Sequence, residues 1–212
     1  QLVWIDRQGN VEPLPAASAR SGDIDISPDG SQAAVTIQKG ADGIWIYDFS
    51  RATLTPLTTA GSSQGPKWTP DGKRIVYRGT RKGFRNVYWK AADGAGGEEQ
   101  LTKGDTLQTP ASVSPDGKQL VFAEVNQANQ ATGTDQWTVS LEGDHKAEVL
   151  LATPFDEARA RFSPDGHWLA YSSDQSGRSE IYVQPFPRAA GKQLISTAGG
   201  DNAVWSPNGR EL

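Results

Sequence analysis

Ser163-Pro164-Asp165-Gly166 is one of five copies of the same four-residue turn in this chain of 212 residues. Proline presets the backbone for the first central position of a type I turn, aspartate or asparagine suits the next position, and glycine accepts the positive φ that closes a hairpin. Each copy therefore predicts a tight hairpin, which we call a clasp. The clasps are Ser27-Pro28-Asp29-Gly30, Thr69-Pro70-Asp71-Gly72, Ser114-Pro115-Asp116-Gly117, Ser163-Pro164-Asp165-Gly166 and Ser206-Pro207-Asn208-Gly209.

The clasps start 42, 45, 49 and 43 residues apart. This is the repeat length of a four-stranded propeller blade and is longer than most helical repeats. Short apolar runs follow the first four clasps, and aromatic-rich runs follow these, so each repeat indicates four short strands that we label A to D. The sequence predicts an all-β fold, a β-propeller of four-stranded antiparallel blades with almost no helix.

The ends of the chain predict two half repeats. Leu2–Asp6 and Val11–Leu14 resemble strands C and D, whereas Ala203–Leu212 resembles strand A and the start of strand B. Pairing the termini would complete a fifth blade and remove open sheet edges. The alternative is a piece of a longer, six-bladed propeller. The single propeller domain, 1–212, would comprise a half blade at 1–20, blades at about 21–60, 61–105, 106–156 and 157–200, and a half blade at 201–212.

The composition narrows the classes of partner. The net charge of −4 gives the whole chain no electrostatic reason to bind nucleic acid or an anionic membrane. No stretch approaches the roughly 18 apolar residues of a membrane span, so we expect no direct membrane insertion. Cysteine is absent, which excludes disulfides and thiolate metal sites and leaves the compartment open. A chain that begins at Gln1 and contains no methionine predicts a processed or excised piece.

Catalytic chemistry finds little support in the sequence. General acid–base and nucleophilic catalysis most often use histidine, and the chain contains two. His145 lies in a polar segment between predicted strands C and D, and His167 directly follows a clasp. We therefore predict that both histidines are exposed turn residues. Gly61-Ser62-Ser63-Gln64-Gly65 has the letters of a nucleophile elbow but leads into a strand rather than a helix. We predict no catalytic residues and no enzyme activity.

Metal and cofactor sites are also not indicated. Each clasp aspartate has a sufficient role in accepting backbone N–H bonds of its own turn, and the clasps lie one per blade. Asp23-Ile24-Asp25 places two carboxylates on one side of a strand, a weaker candidate for calcium, which needs about six or more oxygens. We predict no metal and no cofactor. The residues assigned to turn structure are Asp29, Gly30, Asp71, Gly72, Asp116, Gly117, Asp165, Gly166, Asn208 and Gly209.

The clasp, a third strand of the type Ile181-Tyr182-Val183 and a closing Leu-Thr together resemble the WD40-like repeat of the TolB propeller family. Leu2–Gly9 and Ser172–Pro187 are similar to the propellers that follow the membrane segment in some bacterial receptor-type serine/threonine kinases, and to related sensor proteins. The resemblance implies an extracytoplasmic bacterial module that binds a partner, most simply a protein or peptide. It does not include the additional N-terminal domain of TolB, which argues against a Tol–Pal role.

A second function follows from the same resemblance. The propellers of prolyl-oligopeptidase-like hydrolases share this repeat and gate a catalytic domain. That domain would have to lie beyond Leu212. The alternative to a sensor or scaffold is therefore a substrate-gating propeller whose catalytic domain is absent from this chain.

The direction of the strands predicts where a partner binds. In an antiparallel meander the clasps lie on one face, and the B–C loops and the starts of the A strands lie on the other. The predicted B–C loops differ among repeats and cover 38–43, 79–86, 126–135 and 173–179. Variation on one face of a repeat scaffold is typical of a binding surface. The second loop is basic, with Arg78, Arg81, Lys82 and Arg85. This charge predicts one of two things: a clamp for phosphate or carboxylate groups, or simply a solvated loop.

The residues two and four positions before each clasp are predicted to line the mouth of a central channel. They are acidic in the first repeat and basic in the second and fourth. Such a polarised funnel would suit a zwitterionic peptide or a charged loop of a partner, and the alternative is ordinary water-filled channel lining. The predicted binding residues are Asp23, Asp25, Lys67, Arg159, Arg161 and Asn202.

Overall fold

The computed structural model describes residues 2–15, 20–125, 133–187 and 191–212. This part of the chain contains eighteen strands and no helix, which confirms the predicted all-β fold. The strands are β1 (Val3–Ile5), β2 (Val11–Pro13), β3 (Arg20–Ile26), β4 (Gln32–Lys39), β5 (Ala41–Asp48), β6 (Thr53–Pro56), β7 (Ser62–Trp68), β8 (Arg74–Arg81), β9 (Phe84–Ala91), β10 (Glu99–Gln100), β11 (Leu107–Val113), β12 (Gln119–Val125), β13 (Thr134–Ser140), β14 (Ala147–Leu151), β15 (Glu157–Phe162), β16 (Trp168–Ser173), β17 (Glu180–Pro185) and β18 (Gln193–Leu194).

Sixteen of these strands form four meanders, β3–β6, β7–β10, β11–β14 and β15–β18. We call them blades 1 to 4, with strands A to D in chain order. Each strand is hydrogen-bonded to the next along the chain. The short connections make consecutive strands antiparallel. The remaining strands, β1 and β2, pair with each other, with Val3 opposite Pro13 and Ile5 opposite Val11.

All five clasps form the predicted turn. In each, the glycine N–H donates to the carbonyl oxygen of the first clasp residue at 2.8–2.9 Å. In the clasp of blade 4, Gly166 has a φ of +73°. The Ser163 N–H donates to the Trp168 carbonyl at 2.9 Å, and the His167 N–H donates to Asp165 Oδ1 at 3.0 Å. Because the same bonds recur at every clasp, the turn is a repeated rigid unit that joins strands A and B.

The first residue of each clasp contributes a hydroxyl whose role the sequence analysis missed. Ser163 Oγ donates to Asp165 Oδ1 at 2.5 Å and accepts the Trp168 N–H at 3.0 Å. Thr69 makes the same two bonds in blade 2, at 2.6 and 3.0 Å. The fifth clasp makes them with Asn208 in place of aspartate, at 2.8 and 3.0 Å. The clasp therefore requires a hydroxyl at its first position and a side-chain oxygen at its third.

These bonds lower the pKa of the clasp aspartates. For Asp29 the Ser31 N–H is the largest cause and the Ser27 hydroxyl the next, and the pKa falls to about 2. In the other three clasps that have an aspartate, the hydroxyl of the first residue is the largest cause of the lowered pKa. Those aspartates are Asp71, Asp116 and Asp165. The folded clasp thus favours the ionised carboxylate.

The chain divides into two compact units, and the first comprises Gln1–Gly83 and Val87–Gln100. Its main core lies between blades 1 and 2. The buried residues of this core are Ala34, Ile44, Ile46, Leu57, Trp68, Ile75, Tyr77 and Tyr88. A second buried group, which includes Val35 and Tyr47, packs against Leu2 and Leu14. The β1–β2 pair therefore covers one face of blade 1.

The second unit comprises Phe84–Asn86 and Leu101–Leu212. At its start, one parallel pairing joins Arg85 of β9 to Leu107 of β11. Its main core lies between blades 3 and 4. The buried residues of this core are Val121, Leu150, Ala160, Phe162, Leu169, Tyr171 and Tyr182. A smaller group of four buried residues, Ala170, Ile181, Val183 and Ala203, packs with Trp205 near the end of the chain.

The last twelve residues, 201–212, differ from the expected half blade. They form the fifth clasp but no strand, although a strand A was predicted from Ala203 onward. Arg210–Leu212, which follow this clasp, form no strand that could pair with a strand A. Completion of a fifth blade by the termini stays a prediction.

The predictions of the first two B–C loops, 38–43 and 79–86, are wrong. Gly40 alone connects β4 to β5, and Lys82-Gly83 connect β8 to β9. These three residues have positive φ values of +81°, +52° and +87°, which permit such tight hairpins. The polar residues that suggested loops instead continue the ladder, as in the pairing of Gln38 with Asp42. The third predicted loop lies largely outside the described residues, and the fourth spans 174–179.

Replacement of Ser163 with alanine tests the role of the clasp hydroxyl. The variant leaves the Trp168 N–H without its acceptor, so we expect the free energy of unfolding to fall by about 1–2 kcal/mol in urea denaturation at pH 7. Ser163→Thr is the matched control because Thr69 fills the same position in blade 2. It should stay within about 0.5 kcal/mol of the parent chain. Equal losses in both variants would contradict the role of the hydroxyl.

The lowered aspartate pKa values predict a loss of stability in acid. An aspartate with a pKa near 2 in the folded state stabilises the fold fully above its unfolded pKa of about 4, and this stabilisation is lost as pH falls through the folded value. We expect Asp29→Asn, which keeps the acceptor oxygen as Asn208 does, to flatten the decline of unfolding free energy between about pH 4 and pH 2. Urea denaturation across that range measures it, and an unchanged decline would refute the assignment.

Candidate functional site

Strand A of every blade contains a β-bulge a few residues before its clasp. Bulges bend a strand and turn side chains to new directions, and they occur often beside binding sites. Two bulge residues, Gly65 in blade 2 and Arg159 in blade 4, have left-handed φ values of +63° and +55°. Both stand four positions before their clasp. The register shifts between Ser21 and Ile24, Gln64 and Lys67, Pro110 and Ser112, and Ala158 and Arg161.

Hydrogen bonds link the A strands of consecutive blades within each unit. In the first unit, Asp25 Oδ2 accepts the Trp68 N–H at 2.7 Å, and the Asp25 carbonyl accepts Trp68 Nε1–H at 3.2 Å. In the second unit, Ser112 Oγ accepts the Phe162 N–H at 3.3 Å. The residue two positions before a clasp thus binds the residue that directly precedes the next clasp. Asp25, predicted as a ligand-binding residue, therefore holds blade 2 onto blade 1.

Arg159 and Arg161 lie on the side of β15 that faces away from the core. Arg159 Nη1 forms an ion pair with Asp201 Oδ2 and donates to the Asp201 carbonyl at 3.2 Å. The two side chains of this pair are 52% and 61% exposed. The Arg161 carbonyl accepts Trp205 Nε1–H at 3.3 Å. Within the described ranges, the Arg161 guanidinium has no hydrogen bond or ion pair, so its N–H groups can donate to a ligand.

The other predicted channel residues fall in both units. Asp23 is exposed and Lys67 is half-buried in the first unit, whereas Asn202 is exposed in the second. The structure thus brings Asp25 close to Trp68, and Arg159 close to Asp201, as specific contacts. A polarised funnel that combines all six predicted residues stays a prediction.

The predicted basic loop is a β-hairpin. Arg78 and Arg81 lie on β8, Arg85 lies on β9, and Lys82 is in the two-residue turn. Lys82 and Arg85 are exposed. Arg78 Nη2 donates to the side-chain oxygen of Gln64. The group therefore belongs to a regular hairpin, and its use as an anion clamp stays a prediction.

Arg81 is held inside a local network. Its Nε and Nη2 both donate to the Glu98 carboxylate at 2.6 Å, and the guanidinium lies 5.2 Å from the Tyr88 ring centre. The Tyr77 hydroxyl donates to the same carboxylate at 2.8 Å. The bonds from Arg81 are the largest cause of the lowered pKa of Glu98. Arg81 thus fixes the connection between strands C and D of blade 2.

The residues considered for catalysis do not assemble. His145 Nδ1 contacts the Ser140 carbonyl oxygen at 2.9 Å in a turn, and His167 is exposed. Ser63, in the apparent elbow, is fully buried on β7. Among the described residues no group of three or more His, Cys, Asp or Glu side chains is placed to hold a metal ion. The same residues include no helix long and apolar enough to span a membrane.

Sequence reasoning missed a buried polar pair in the second unit. Gln136 is fully buried and Glu157 is 2% exposed, and Gln136 Nε2 donates to the Glu157 carbonyl at 2.7 Å. Burial is the largest cause of the raised pKa of Glu157, whose Oε1 accepts the Thr153 hydroxyl. Gln136 fills the strand C position that is Ile44 in blade 1 and Ile181 in blade 4. A glutamine among isoleucines is the sequence signal that could have revealed it.

Comparisons with known proteins support the propeller fold. Residues 19–158 match the family model described as the TolB beta propeller domain. The protein Atu1656 of Agrobacterium fabrum is 27% identical over 211 residues, which cover 92% of this chain and 70% of that protein. The crystal structure of TolB from Acinetobacter baumannii matches with a TM-score of 0.80 and 19% identity, over 98% of this chain and 52% of that chain.

The structure of a prolyl endopeptidase is less similar to this chain than the TolB structure is. It matches with a TM-score of 0.66 and 16% identity, over 90% of this chain and 32% of that chain. At such identities, the TolB and endopeptidase structures show a shared fold alone. The chain spans about half of the TolB chain and a third of the endopeptidase chain. The all-β propeller fold predicted from the clasps is confirmed.

The left-handed backbone of Arg159 predicts an unusual order of stability. Alanine normally stabilises a strand relative to glycine, but at positive φ an L side chain costs roughly 1 kcal/mol. We therefore expect Arg159→Gly to be about 1 kcal/mol more stable than Arg159→Ala. Arg161 has no positive φ and is the matched control, where the alanine variant should be the more stable one. Urea denaturation of the four variants measures both orders, and the same order at both sites would contradict the strain.

Proposed function

The chain belongs to the TolB beta propeller domain family, and from that membership we propose that it is a non-catalytic module that binds a protein or peptide partner. The module would be the extracytoplasmic sensor or scaffold part of a larger bacterial protein. The similarity of Leu2–Gly9 and Ser172–Pro187 to receptor-kinase propellers supports the sensor role. We propose no cofactor for this function.

The observation that carries the proposal is the contrast between the clasps and the A strands. All five clasps keep the same bonds, so their residues are committed to the turn. The residues two and four positions before them instead differ in charge from blade to blade. Variation on a constant scaffold is where recognition is built. In blade 4 these positions hold Arg159 and Arg161, which direct cationic groups away from the core.

The arginines of blade 4 and the net charge of the chain both support a protein or peptide as the partner. Arginine is enriched in protein–protein interfaces, where its guanidinium makes several hydrogen bonds at once. The net charge of −4 disfavours nucleic acid. An extracytoplasmic location is proposed from the sequence resemblance to sensor propellers.

A second candidate function is the gating of a hydrolase. The structural likeness to a prolyl endopeptidase, of which this chain covers 32%, favours it. The two candidates differ in the parent reading frame. A G-x-S-x-G motif with aspartate and histidine downstream would support the gate, whereas a membrane span and kinase motifs upstream would support the sensor.

Site-specific photo-crosslinking in the producing bacterium tests the binding function. Benzoylphenylalanine placed at Asn202, four positions before the fifth clasp, should capture a defined protein that mass spectrometry identifies. Benzoylphenylalanine at Lys118, which is exposed beside a clasp of the same unit, is the control and should capture no protein above background. No product from Asn202, or equal products from both positions, would contradict recognition at the A-strand side.

A further inference from the structure

We propose that Arg159 and Arg161 form a receptor for a carboxylate of the partner, and that the Asp201 carboxylate occupies this receptor until the partner displaces it. The inference rests on the proposed function, because it names the chemistry of the group that the module binds. The ligand class is an acidic peptide segment.

The two arginines are placed to act together. Both side chains leave β15 opposite the buried residues Ala160 and Phe162. Positions two residues apart are separated by at most about 7 Å even in a fully extended chain, and the bulge between Ala158 and Arg161 can only shorten this distance, so two long side chains can reach the same carboxyl group or two adjacent ones. Guanidinium groups offer planar pairs of N–H donors that match the geometry of a carboxylate. The pair is therefore suited to an acidic ligand.

The backbone of Arg159 adds an independent argument. Its φ of +55° lies in the left-handed region, where the corresponding residue of blade 2 is Gly65. Glycine at this position would remove the strain, because it has no Cβ to oppose a positive φ. Strained conformations of non-glycine residues outside turns cluster at functional sites, and Arg159 lies within strand β15. The bulge that imposes this conformation also turns the guanidinium outward.

The contact with Asp201 shows that the receptor admits a carboxylate. Arg159 binds the Asp201 side chain and also its carbonyl oxygen, and both side chains are more than half exposed. An exposed ion pair contributes little to stability because solvent screens it, so a competing carboxylate can replace it.

Arg161 is the part of the receptor that Asp201 leaves unused. Its guanidinium has no bonding partner among the residues that the structure describes, while the bond from Trp205 Nε1–H fixes its backbone. A ligand with two carboxylates would contact both arginines, whereas Asp201 contacts only Arg159. This difference is what allows the partner to displace the internal carboxylate.

The test is a titration of the purified chain with the blocked peptide acetyl-Gly-Asp-Gly-Asp-Gly-amide, followed by the ¹H–¹⁵N signals of the arginine Nε groups at low salt. We expect the Arg159 and Arg161 signals to shift, with a dissociation constant in the millimolar range. Asp201→Asn should tighten binding about threefold to tenfold, because it removes the internal competitor's charge. Arg161→Ala should weaken binding about tenfold.

Three controls make the outcome decisive. The matched peptide with asparagine in place of aspartate should cause no shift. Arg210→Ala removes the same charge from an exposed residue outside the receptor and should change the affinity less than twofold. Arg161→Gln serves in place of Arg161→Ala if the alanine variant loses its cooperative unfolding transition. Unmoved arginine signals, an equal loss in Arg210→Ala, or no tightening in Asp201→Asn would overturn the inference.

The result is separable from the test of the proposed function. A crosslinked partner at Asn202 together with unmoved arginine signals would retain the binding module and reject the carboxylate receptor. Shifted arginine signals without a crosslinked partner would support the receptor and reject recognition of a protein at that position.

Discussion

The fold depends on a hydroxyl that both donates and accepts within a segment of six residues, the clasp and the two residues after it. In each clasp this hydroxyl binds the side-chain oxygen two residues later and accepts the N–H of the residue five positions later, which is the first residue of strand B in all four blades. The bonds are complete within the turn and need nothing from another blade. Each hairpin is therefore specified locally, which explains how repeats of 42–49 residues share one geometry despite different connections. Asn208 fits because only its Oδ1 is used.

Local features were predictable from the sequence, and features set by distant contacts were not. The clasps and strands follow from turn residues and apolar runs a few positions away. The B–C loops were misjudged because the ladder continues through polar residues such as Gln38, whose backbone pairs with the opposite strand whatever its side chain. The bond from Trp68 to Asp25 joins residues 43 positions apart, and no periodicity signals it. The same holds for Arg81 and Glu98.

A constant turn leaves the A strands available for variation. Blade 1 uses the position two residues before its clasp to hold blade 2, through Asp25, and blade 3 uses Ser112 in the same way. Blade 4 meets this need with a backbone carbonyl, since the Arg161 carbonyl accepts Trp205 Nε1–H. The Arg161 side chain therefore has no structural role in this contact. The arginine pair of blade 4 thus arises where packing no longer requires the side chain.

Amide hydrogen exchange in the native state tests the role of the clasp most directly. The N–H groups of Gln119 and Trp168 donate to clasp hydroxyls in the second unit. The account predicts that they exchange as slowly as the amides of buried strand residues, because opening the clasp requires separation of strands A and B. Exchange as fast as that of an exposed turn amide such as Ser176 would show that the clasps do not hold the blades together.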